Sequence, residues 1–197
     1  AGPSKQVVGK KEGLIMTRSS VQTGYYDGIE RLYPGQIADF GTSQDNSTVS
    51  YPAETEVIAG RGVVKGAAIT TDPNTNPMNQ PAPYKIKAPV SGSVTADFVG
   101  IAVRTEACTN SSDSEAAYAA NTMATVVVRR GTGSIIGAKA NVAVAAGDPV
   151  YMSVDAAQVP NLPVGEFTNT NAAGVIQITG ATWYAQAAAG TVGRIEL

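Results

Sequence analysis

Few residues in this chain of 197 could do chemistry. Two close acidic pairs, Glu54 with Glu56 and Asp113 with Glu115, have the residue types of a glycosidase centre. There one carboxyl donates a proton while the other attacks or activates water. Nothing around either pair marks it as buried, so solvated loop carboxylates are the simpler reading. Histidine is absent, which removes the commonest general base, metal ligand and pH switch. Cys108 is the one cysteine. It can form no disulfide within the chain, and with no histidine to activate it, it reads as a small buried or half-buried residue. A Ser/Lys dyad is open to any chain this rich in serine, but no feature selects one. No EF-hand-like spacing provides an oxygen-only metal site. The reading is therefore no catalytic residue, no cofactor, no metal ligand and no small-molecule substrate.

Two glycine patterns resemble nucleotide motifs and fail on detail. Gly60-Arg61-Gly62-Val63-Val64-Lys65-Gly66 places its lysine before the glycine and leads into β-like sequence, whereas a phosphate loop needs Gly-Lys-Ser/Thr opening a helix. Gly131-x-Gly133-x-x-x-Gly137 has one residue too many for a dinucleotide fingerprint, with Ile136 where the third glycine belongs. Glycines at hairpin bends are the expected explanation.

Net charge is −2, the pI about 5.1 and the charged fraction 15%. A nucleic-acid partner is not expected without a basic footprint. No stretch approaches the apolar length of a membrane span, and 1–11 lacks the apolar core of a signal peptide. So weakly charged a surface suits a protein packed in an assembly, or simply a surface rich in threonine and asparagine.

The elements that carry these residues read as strands. In 125–154, TVVVRR, IIGAKANVAV and DPVYMSV are β-rich segments between glycine turns. Gly147-Asp148-Pro149 is turn chemistry. Further strands are expected at Ile37, at Glu56-Val57-Ile58-Ala59, at Gly62-Val63-Val64 and at Ala67-Ala68-Ile69-Thr70. Others are expected over 90–95, 98–104, 175–178, 182–184 and 192–197. Ser112-x-x-Glu115 before AAYAA fits a capping box and a short helix, although Tyr118 could equally open a strand. Many short strands at regular spacing predict an all-β fold, an antiparallel β-barrel or sandwich. Residues 71–83 (TDPNTNPMNQPAP), with four prolines, form the clearest loop and are expected to project.

Residues 1–33 differ from the rest. Five cations face three acids there, a local net of +2 that leaves −4 for the remainder. Glycines interrupt any regular element, so this segment reads as an extended N-terminal arm and 34–197 as the body. Arg18, Tyr25, Tyr26, Arg31 and Tyr33 are the candidate partner-binding residues. Tyrosine combines rigid contact area with a polar tip, and these rings either grip a partner or cap the protein's own core.

Several segments resemble, in order, the capsid decoration or structural cement proteins of tailed bacteriophages. They are Tyr33-Pro34-Gly35-Gln36-Ile37-Ala38-Asp39, Ile58-Ala59-Gly60-Arg61-Gly62-Val63-Val64, Phe98-Val99-Gly100-Ile101-Ala102-Val103-Arg104, the strand ending Arg129-Arg130-Gly131, the turn Ala146-Gly147-Asp148-Pro149-Val150-Tyr151, and the close from Gly180-Ala181-Thr182-Trp183 through Gly193. Ala59 stands where the family often has an aromatic. The resemblance spans 33–197, and the arm, the 71–83 loop and the serine-rich 109–114 are not matched by it. It implies a jelly-roll-like body on the outside of the virion. The body would bind the major capsid protein, associate as a homotrimer and be made in the bacterial cytoplasm, with no membrane or nucleic-acid partner. Another virion β-protein of tail or fibre is one alternative and a small all-β hydrolase another. A carbohydrate-binding module stacking sugars on Trp183, the one tryptophan, is a weaker one.

Overall fold

Strand β9 (Met123–Val128) shows how this sequence builds its body. Val126, Val127 and Val128 are consecutive, β-branched and all buried, so both faces of the strand must be covered. Val127 points into one hydrophobic cluster, with Ile101, Met152 and Trp183. Val126 and Val128 point into another, with Tyr51, Val57 and Tyr118. Each such side chain contributes about 1.5–3 kcal/mol on burial.

The structure is a computed structural model, and it describes residues 33–39, 48–69, 84–110, 115–128, 134–159 and 161–197. They form three antiparallel sheets. One contains β1 (Ile37–Asp39), β10 (Ile135–Lys139), β11 (Pro149–Ser153), β12 (Phe167–Thr168), β13 (Val175–Trp183) and β14 (Val192–Glu196), in the order β1-β10-β14-β13-β11-β12. The second contains β2 (Thr48–Pro52), β4 (Gly62–Ala68), β5 (Tyr84–Lys87), β6 (Phe98–Ala102) and β9, in the order β2-β9-β6-β4-β5. The third is small: β3 (Val57–Ile58), β8 (Ala116–Tyr118) and β7 (Thr109–Asn110).

Both larger sheets curl until their ends meet. A parallel bridge from Ala53 to Ile86, with Tyr51 stacked on Tyr84 at 5.5 Å, brings β2 to β5. A second parallel bridge, Ala140 to Phe167, brings the end of β10 to β12. Such closure covers edges that would otherwise template aggregation. Alternation then sorts the side chains. Val64 and Ile101 face the first sheet, and their neighbours Val63 and Ala102 face the other way, into the cluster that the third sheet covers with Val57 and Tyr118.

The all-β antiparallel expectation holds, and several details differ. Of AAYAA, Ala116–Tyr118 form strand β8 and no helix forms; Ser112 lies outside the described residues. Residues 90–94 form no strand, because Pro89 and the turn at Ser91-Gly92 break it, Gly92 having φ +89°. Val90 and Val94 are left about half exposed, and a single 3-10 turn follows at Thr95–Asp97. Strand β5, YKIK, has one buried apolar side chain, Ile86, and was not anticipated. Gly137 lies inside β10 and at no bend, while Gly131 and Gly133 lie outside the described residues. Trp183 is fully buried and cannot stack on a sugar. Among the described residues no helix is long and apolar enough to cross a membrane.

Candidate functional site

The site is built around Tyr33-Pro34-Gly35-Gln36, the first of the described residues. Pro34 fixes φ and Gly35 takes φ +80°, the positions that a type II turn assigns to these residues. The Gln36 amide donates to the Tyr33 carbonyl at 3.0 Å and closes the turn. Gly35 then sinks between strands. Its amide donates to the Gly137 carbonyl at 2.7 Å, and its carbonyl accepts from the Arg104 amide at 2.8 Å. A Cβ at Gly35 would stand 2.7 Å from the Gly60 nitrogen and 2.9 Å from both the Ala102 oxygen and the Arg104 nitrogen. Gly60, at φ +80°, is closed to a Cβ by Pro34 itself. Gly137 lacks a Cβ where the Tyr33 carbonyl passes, 2.7 Å from the position it would take. Three glycines distant in sequence thus clear the space that seats this turn.

Arg104 shapes the outer side. Its guanidinium lies over the Tyr33 ring, 4.8 Å from the centroid, and Tyr33 is 54% exposed. The backbone at Arg104 is fixed on both flanks. The Tyr118 hydroxyl donates to the Val103 carbonyl at 2.8 Å and is paired with the Thr105 hydroxyl at 2.8 Å. Burial pushes the Tyr118 hydroxyl above the ordinary tyrosine value, and the bond to Thr105 opposes it.

Arg61, next to Gly60, ties the sheets together. It pairs with Glu115 at 2.7 Å and lies 3.5 Å from Glu166, which Lys139 also approaches at 3.4 Å. Glu166 is 3% exposed, a charge held in the interior by two cations. This cluster has no nucleophile and no histidine, and its chemistry is attachment of one sheet to another. Of the proposed acidic pairs, Glu54 accepts the Ala67 amide at 2.6 Å and Glu115 binds Arg61, while Glu56 is exposed. Among the described residues no group of three or more His, Cys, Asp or Glu could hold a metal. A cleft of about 340 Å³ lies between the two larger sheets, lined by Tyr51, Tyr84, Thr95, Phe98, Ile178 and Thr179, with no charged side chain.

Of the five candidate partner-binding residues, Arg18, Tyr25, Tyr26 and Arg31 lie outside the described residues. Tyr33 is placed at the exposed side of the turn. Arg104 was not singled out as a site residue, although the motif at 98–104 ends on it. Its pairing with Tyr33 joins positions 71 apart in sequence, which spacing cannot reveal.

The model of the structural cement protein family (E217 gp24/Pam3 gp6) matches residues 21–197. The chain belongs to this phage family. It is a capsid-stabilising decoration protein, a structural component of the virion that binds capsid proteins. The match begins twelve residues upstream of the resemblance read from sequence, so it takes in Tyr25, Tyr26, Arg31 and Tyr33 and leaves out Arg18. A chain in the solved capsid of Myoviridae Phage XM1 shares the fold at a TM-score of 0.54, with 18% identity over 83% of this chain and 88% of that one. Curated proteins contain no match.

Proposed function

We propose that this cement protein sits on the outer face of the shell, across seams between major capsid subunits, and that residues 1–32 act as an arm laid over a neighbouring subunit. A shell under internal DNA pressure fails at its seams, and a rigid body seated there adds buried area where it is needed. A stable contact of this kind removes on the order of 1,000 Å² or more from water. An extended arm of this length reaches at most about 110 Å, and it can join a sheet edge by backbone pairing. Trimeric association and repetition around the shell add avidity beyond any one contact. No catalytic step is part of this role. Synthesis takes place in the bacterial host cytoplasm, before attachment.

The observation that carries the reading is the seat of the Tyr33 turn. A load applied along the arm reaches Gly35, whose backbone is bonded to Gly137 and Arg104 and enclosed by Gly60 and Ala102. The pull is therefore shared by both larger sheets. The strand register adds a direction. The turn packs at the end of the second sheet formed by Ala102 and the residues before Gly62. Segments 40–47, 70–83 and 129–133 join at its opposite end, beside Thr48, Ala68, Tyr84 and Val128. The proposed orientation puts the Tyr33 end toward the shell and the end bearing the Pro-rich segment outward.

The test is add-back to heads that lack the protein. Removal of 1–32 leaves a body that folds, with an unchanged urea midpoint, and that binds heads at least tenfold more weakly. Unchanged affinity after truncation contradicts the arm.

A further inference from the structure

We infer that Arg104, lying over the Tyr33 ring, is a preformed receptor for a carboxylate of the capsid subunit on which the body sits. The inference rests on the proposed orientation and names the contact chemistry at its centre.

A guanidinium stacked on an aromatic face uses its flat surface for the ring and keeps its in-plane N–H donors free. The Arg104 guanidinium lies over the Tyr33 ring. Its centre is 4.8 Å from the Tyr33 centroid. The ion pairs among the described residues are those of Arg61 and Lys139, and no carboxylate of those residues reaches Arg104. The side chain is exposed, and Tyr33 is 54% exposed beneath it. The pair is nevertheless well fixed. The Arg104 amide is committed to Gly35, the preceding carbonyl to Tyr118, and the following hydroxyl to Tyr118 as well. Little main-chain freedom remains to be lost on binding, which is how preorganisation raises affinity. Arginine and tyrosine at the centre of a contact are also the residue types that dominate interface energetics.

The partner's chemistry follows from the free donors. A planar fork of N–H groups matches a carboxylate, which can accept two parallel bonds. The source follows from position. Tyr33 is joined directly to residues 1–32, the segment that the proposed function lays on the shell, so on that reading the pair faces the same surface. On the proposed orientation that surface is a capsid subunit.

The experiment measures binding of full-length protein to heads lacking it, at low and moderate salt, for wild type, Arg104→Gln, Arg104→Lys and Tyr33→Leu. Arg104→Gln is expected to lose at least tenfold in affinity and to flatten the salt dependence. Arg104→Lys keeps the charge without the fork and recovers only part of the loss. Tyr33→Leu removes the platform and loses several-fold with the charge intact. Binding of Arg104→Gln within twofold of wild type overturns the inference. So does an altered oligomeric mass with unchanged head affinity, which would assign the carboxylate to a second copy of this chain. Failure of wild type to bind heads is a different result, and it removes the proposed function itself.

Discussion

Gly35 carries more constraint than any other described residue of the Tyr33 turn. At φ +80° an L side chain is strained, and a Cβ would stand within 2.9 Å of three backbone atoms that cannot swing aside. Gly35→Ala is expected to cost about 2 kcal/mol or more, strain and displacement combined. A urea titration at neutral pH reads this as a lowered midpoint. Asp148 offers a second test at this scale. Its carboxylate accepts the Ala145 amide at 2.8 Å and the Asn169 side-chain amide at 2.6 Å. Chiefly through the first of these, its value is held below the ordinary 3.8. A lowered folded value means that this contribution to stability is complete above the unfolded value and is lost as pH falls through the folded one. Asp148→Asn should therefore lose part of the stability decline of the wild type below about pH 4, as melts between pH 2 and 6 would show. The turn at Gly147-Asp148-Pro149 was legible because turn chemistry is local. The burial of Trp183 was not, because it depends on Gly193, whose absent Cβ makes room for the indole.

Strands stand or fall by what covers them. Three successive valines in β9 announce a strand and no more than that. They could not show that one face meets the first sheet and the other the third. Strand β5 was hidden because three of its four residues are only partly buried, and AAYAA misled because alanine suits a helix whenever packing does not decide. The join between sheets offers the sharpest test of an element. Arg61 and Lys139 hold the buried Glu166, and Arg61→Ala would leave that carboxylate with Lys139 alone. A loss of about 2 kcal/mol is expected, since a desolvated carboxylate is left with one of its two cations. Replacing Arg61 and Glu166 together by methionine and leucine should cost less than Arg61→Ala alone. If the double variant is the less stable in a denaturant titration, the electrostatic account of this join is wrong.

For the whole molecule, the all-β class was legible in strand spacing and the family in the order of short motifs. The candidate site was legible in one residue, Tyr33, because a turn signature can be seen locally while two of the glycines that seat it, Gly60 and Gly137, lie far away in sequence. The proposed arm rests on a segment of different charge and composition, and truncation of 1–32 tests whether it contributes apart from the body. The most direct measurement is the temperature at which DNA is released from heads lacking this protein, with and without saturating protein added back. The account predicts a release temperature raised by several degrees, with the truncated protein giving a smaller rise at equal occupancy. Full occupancy with an unchanged release temperature would contradict it.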